Sequence, residues 1–206
     1  MSVFIKGNDM NQDQVNELLL QSLEHEKGGI DVYKAALECV INEDLREEWQ
    51  KYLQETYHHE RILTQLCETM GLDPTQETSG RGAMKLVSTA LVWAMRKALV
   101  RGTPEAAELV ACECVVLAET KHHLDWELIG RCANQLKGDN AKALKAAHQE
   151  VEDQEDEHLH HATGWCRELW MASLGMKANL PPPEVSHHFT TLVGAVRAGQ
   201  LNDVLR

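Results

Sequence analysis

Two carboxylates in this chain stand where a helix should show an apolar side chain. Around Leu23–Tyr33 the apolar spacing runs Leu19, Leu23, Glu26, Ile30, Tyr33, Leu37 and Val40, the seam of an amphipathic helix with Glu26 in its middle. A later seam, Cys112, Val116, Glu119, His123 and Trp126, repeats the oddity: Glu119 sits mid-seam with an aromatic residue seven positions on. Glu26 with Tyr33 and Glu119 with Trp126 lie 93 positions apart, which points to a duplicated helical hairpin. An unpaired buried carboxylate is costly, so each of the two must be protonated, ion-paired or bound to a metal.

Two further segments add imidazoles. In "DQEDEH", Glu155 and His158 are three apart and share a helical face, on the seam Leu144, Ala147, Val151, His158, Ala162, Trp165, Leu169. In "ETYHHER", Glu55 and His58 have the same spacing. There the apolar spacing Leu45, Trp49, Tyr52, His59, Leu63, Leu66 favours His59, whose neighbour three back is Thr56, so motif and seam disagree and both histidines stay open. One Glu from each of two helices plus Glu-x-x-His from each of two others is the ligand set of di-iron and di-manganese carboxylate bundles. Bridging carboxylates offset the charge of two divalent ions, each imidazole adds a neutral donor, and positions stay open for water, oxygen or peroxide. The expected metal ligands are therefore Glu26, Glu55, His58, Glu119, Glu155 and His158, with His59 as the alternative to His58. The separations Glu26–Glu55 and Glu119–Glu155 differ, 29 against 36 positions, so the hairpins must differ in length beyond the site if the ligands are to meet. His122 or His123 could be one more ligand or a core histidine, with His123 on the seam. Glu24, His25 and Glu113 fall off the seams and are expected at the surface, and His160 and His161 receive no role.

Four long helices must position these groups. The pattern predicts the first over about Gln12 to Val40 and a second capped by Asn42 and stopped by Gly71 and Pro74. The third starts at Thr103-Pro104 and runs to about Leu136; the fourth runs from near Asn140 to Ser173. A short apolar helix over Ala83–Val100 falls in the crossover, and its Lys85, Arg96 and Lys97 argue against a bilayer span. The prolines of "LPPPE" close a bundle domain of residues 1–180. Residues 181–206 form a tail with one more amphipathic stretch, expected to pack on the bundle or a partner.

Composition narrows the function classes. With 206 residues, 43% of them hydrophobic, the chain supports one sizeable core. Its net charge of −12 excludes nucleic acid as a natural partner. Six cysteines never form a C-x-x-C pair, so no rubredoxin-like or zinc-ribbon module is present, and reduced thiols in a cytoplasmic protein are expected. No membrane partner is expected. The apolar crossover helix favours a homodimer.

At "LEHEKGGIDVYKAALE" and "DQEDEH" the sequence resembles the ferritin-like superfamily, in particular rubrerythrin-type di-iron carboxylate proteins without a rubredoxin domain. The resemblance covers roughly Gln12 to Leu174. It implies an all-α, ferritin-like four-helix bundle of two antiparallel hairpins with an extra crossover helix and a C-terminal tail helix. It also implies a dinuclear centre of two iron ions, with manganese or another divalent metal as the alternative. The implied activity is oxidation of Fe(II) or reduction of peroxide or oxygen. The rival expectation is a bundle of this shape whose site is degenerate, serving as a structural or stress-related interaction protein.

Overall fold

The computed structural model describes residues 10–185; the tail helix expected after Val185 lies outside them. Five α-helices and no strand make up the described residues: α1 (Gln12–Cys39), α2 (Glu43–Thr69), α3 (Ser79–Arg101), α4 (Pro104–Gln135) and α5 (Asp139–Ser173). Asn11, Asn42, Thr78 and Thr103 each cap a helix by accepting a backbone N–H with the side chain, and Pro104 opens α4. Gly138 enters α5 with φ of +78°, a left-handed conformation that costs glycine nothing. No helix among the described residues is long and apolar enough to cross a membrane.

Three residues join α1 to α2 and three join α4 to α5, which makes each pair an antiparallel hairpin. Glu108, in the first turns of α4, accepts the backbone N–H groups of Ile41 and Asn42 at 2.8 and 2.7 Å and ties the second hairpin to the turn of the first.

The crossover helix α3 is 23 residues long, not the short element expected, and it starts before Ala83. The sequence Gly80-Arg81-Gly82 reads as a loop, yet Arg81 is buried and anchors the helix through Glu24 and the carbonyls of Pro74 and Gln76. Gly80 lies beside Gln21, Ser88 packs on Gly28 and the Cys39 thiol reaches the Met95 carbonyl, so α3 runs along α1 in the same direction. That path carries the chain from the end of α2 to the start of α4. Its outer face leaves Leu86, Trp93 and Val100 exposed.

The apolar core is split in two. One cluster holds Tyr33, Trp49, Tyr52, Met95 and Trp165; the other holds Leu19, Leu23, Leu63, Trp126 and Ile129. A polar layer separates them. All six cysteines are free thiols, and burial pushes those of Cys67 and Cys114 up to about 11, so they behave as small apolar side chains.

Candidate metal centre

Six side chains fill the layer between the two apolar clusters: Glu26 of α1, His59 of α2, Glu119 and His122 of α4, and Glu155 and His158 of α5. None exposes more than 1% of its surface. Three carboxylates and three imidazoles thus share a site from which water is excluded.

The imidazoles share one orientation. Each turns its outer nitrogen, Nε2, to an acceptor: His59 to Gln154 Oε1 at 2.8 Å, His122 to the His25 carbonyl at 3.1 Å, His158 to Glu55 Oε2 at 2.8 Å. A carbonyl or carboxylate only accepts, so the proton of the neutral ring sits on Nε2 and the lone pair is left on Nδ1. All three Nδ1 atoms face the carboxylates. His59 Nδ1 is 2.7 Å from Glu155 Oε1, and the Nδ1 atoms of His122 and His158 are each 3.6 Å from a Glu119 oxygen. None of these contacts is aligned as a hydrogen bond: the three Nδ1 atoms, both oxygens of Glu119, both of Glu155 and Oε2 of Glu26 all lack such a partner. Buried polar atoms are nearly always satisfied, so eight orphans in one layer call for a missing partner that accepts lone pairs.

The donors gather in two groups of three, and His59 stands beside Glu155, the residue common to both. Ligand atoms of Glu26, His122 and Glu155 lie within 4.8 Å of one another, and so do those of Glu119, Glu155 and His158. Glu155 belongs to both groups. Without a cation, protons serve instead. Burial opposes charge on His158, but the Glu119 and Glu55 carboxylates beside it hold its pKa up to about 10, and burial raises Glu26 to about 7. Glu119 is held well below the usual carboxylate range, because His122 and His158 outweigh its desolvation.

Neighbouring side chains fix this layer. The Trp126 indole donates to Glu26 Oε1 at 2.8 Å. Tyr33 is buried with its hydroxyl beside Glu119, and burial together with that carboxylate keeps the phenol protonated. Tyr52 packs its ring on that of His158, with centroids 4.0 Å apart. Gly29 leaves the space that His122 occupies, since a Cβ there would lie 2.4 Å from the ring. Gly29→Ala is therefore expected to displace His122, to cost about 1–3 kcal/mol of stability by overpacking and to weaken metal binding roughly 10–100-fold. Metal titration alongside denaturant melts checks both effects.

Of the ligands expected from the sequence, Glu26, Glu119, Glu155 and His158 come together here. Two others do not. His58 points outward, 42% exposed, against Glu150 at 2.9 Å, while His59 takes the inner position that the apolar spacing favoured. Glu55 stays outside the layer and holds His158 from behind, with Lys51 3.8 Å away. His122, not the seam residue His123, is the buried member of its pair; His123 lies toward solvent on Asp156. The Glu-x-x-His spacing of Glu119 and His122 was the available signal. His25 is buried beside Asp125 rather than at the surface. His161 is also buried, bound to Tyr52 and Glu48.

The unequal separations resolve cleanly. Thirteen positions separate Glu26 from the end of α1 and the start of α2 from Thr56, whereas sixteen separate Glu119 from the end of α4 and the start of α5 from Glu155. Each helix of the second hairpin is three residues longer, so the residues stay level. The buried Leu45, Tyr52, Thr56, His59 and Leu63 of α2 share one register with Leu144, Val151, Glu155, His158 and Ala162 of α5. Glu26 and Gly29 stand in α1 as Glu119 and His122 stand in α4. At the four pairs of site positions the hairpins thus agree at two, Glu26 with Glu119 and His59 with His158, and differ at two, Gly29 against His122 and Thr56 against Glu155.

No family model, curated protein or solved structure matches the chain.

Proposed function

We propose that the protein is a dinuclear metal protein whose six ligands are Glu26, His59, Glu119, His122, Glu155 and His158, with iron as the metal and Fe(II), peroxide or oxygen as its substrates. The observation that carries this reading is the set of three imidazoles with their outer nitrogens occupied and their inner lone pairs turned onto two carboxylate groups that share Glu155. Outer partners of this kind set the tautomer of metal-binding histidines. Charge also balances: two divalent ions bring four positive charges, Glu26, Glu119 and Glu155 supply three negative, and Glu55 behind His158 supplies the fourth. Mixed imidazole and carboxylate donors suit iron and manganese better than soft metals.

When bound, a pair of iron ions supplies one-electron redox chemistry toward oxygen or peroxide. The chain itself supplies the rest. Its apolar clusters keep bulk water from both ends of the layer, Trp126 holds Glu26 in one orientation, and Tyr33 presents a protonated hydroxyl beside Glu119. Metal analysis after anaerobic reconstitution with Fe(II) tests the reading: about two ions per chain are expected, and a metal-free protein would sink it. The two α2 histidines give a sharper contrast. His59→Ala should weaken binding by at least about tenfold, whereas His58→Ala should leave the metal content of the unaltered protein.

One observation favours a second reading, a bundle whose site has lost its activity. Thr56 stands where the ligand pattern expects the carboxylate of α2, and its hydroxyl bonds its own helix at the Tyr52 carbonyl. On that reading, imidazolium–carboxylate pairs would hold the layer together, and the poor alignment of all three Nδ1 contacts weighs against it. Exposed Leu86, Trp93 and Val100 on α3 support the expected homodimer, which the particle mass in solution tests.

A further inference from the structure

Apolar clusters close the metal centre at both ends, so a cation must reach it from the side. A cavity of about 170 Å³ opens between α4 and α5, and Glu155 forms part of its wall. Around it stand His123, Glu127, His148, Glu152 and Asp156. Two imidazole–carboxylate pairs flank the opening: His123 Nε2 is 2.7 Å from Asp156 Oδ1, and His148 Nδ1 is 3.6 Å from Glu152 Oε2. Gly130 of α4 admits the His148 ring, because a Cβ there would lie 2.4 Å from its Nε2. Acidic surface groups alone would mean little. Here a carboxylate that is 1% exposed and receives no hydrogen bond at either oxygen faces the same cavity.

We propose that this cavity is the route by which divalent cations, Fe(II) above all, reach the centre, passing from the His148–Glu152 and His123–Asp156 pairs to Glu155. The inference rests on the metal-centre reading given above. Among the described residues, only the two groups in the centre bring three ligand atoms within 4.8 Å of one another, so the outer pairs are two-donor stations. That suits transit, which needs binding strong enough to admit an ion and weak enough to release it. The carboxylates at the mouth also raise the local concentration of cations. A second acidic opening, of about 360 Å³, includes Asp44, Glu47 and Glu157, but Tyr52 stands between it and His158, with its hydroxyl held by His161 at 2.7 Å.

Stopped-flow mixing of the metal-free full-length protein with Co(II), read by visible absorption of the bound ion, tests the route. The double variant E152Q/D156N should load at least about tenfold more slowly and end with the metal content of the unaltered protein. Gly130→Ala should slow loading through His148. The equal charge change D44N/E47Q, at the other opening, should load at the unaltered rate. An unaltered rate in E152Q/D156N, slowing only in D44N/E47Q, or equal slowing in both would overturn the route while leaving the centre in place. A lower final content in E152Q/D156N at an unaltered rate would also overturn it, by making those residues resident ligands. No uptake by the unaltered protein would overturn the metal centre itself.

Discussion

Replacing Glu155 by glutamine is expected to remove both metal ions at once. It is the one residue whose carboxylate belongs to both ligand groups, and an amide is a far poorer donor than a carboxylate. Metal content after reconstitution should fall from about two ions per chain to fewer than about half an ion. Glu26→Gln touches one group only and should spare part of the binding. The helical fold should survive both changes, because each removes a buried negative charge from the metal-free protein. A Glu155→Gln protein that still binds the full complement would show that the carboxylate does not bridge.

Metal removal should have the next largest effect. A ligand at 1,000 times its dissociation constant stabilises the folded state by about 4 kcal/mol, which for a chain of this size raises the melting temperature by about 10 °C. The size of that gap should depend on pH. In the metal-free protein Glu26 and His158 both bind protons more tightly folded than unfolded, with values raised from 4.5 to about 7 and from 6.5 to about 10. Their contribution to stability is complete at low pH. It is lost for Glu26 as pH rises from 4.5 through about 7, and for His158 as pH rises from 6.5 through about 10. Metal must displace these protons, so its affinity rises with pH. Melting curves with and without Mn(II) should therefore move apart between about pH 6 and about pH 8. Curves that stay parallel or converge would contradict the proposed ligand set.

Helix positions were readable from the sequence because periodicity, capping residues and stop signals agreed. Asn42 and Thr103-Pro104 cap the helices they were expected to cap. The exception is the start of α3, where two glycines look like a loop; the bare Gly80 instead lets α3 lie close on Gln21, and a buried arginine holds the turn. Glu26, Glu119, Glu155 and His158 were legible because a charged or imidazole group on an apolar seam has no cheap explanation. Glu55 and His58 satisfy the three-residue motif but lie off the apolar seam, and it is the seam that records which face of α2 turns inward. Between His122 and His123 the seam points to the wrong one, because His122 sits beside it rather than on it. Gly29, on another helix, leaves room for its ring, and within α4 the Glu119-x-x-His122 spacing is the signal that points to it.

The near-match of the two hairpins has an evolutionary consequence. Identical hairpins associating as a symmetric pair would have to carry the same residue at equivalent places, glycine twice or histidine twice, threonine twice or glutamate twice. Joined through α3 in one polypeptide, each copy can mutate alone. The lopsided chemistry of the centre, with His122 supplied by one half and its packing space by the other, is closed to two identical copies.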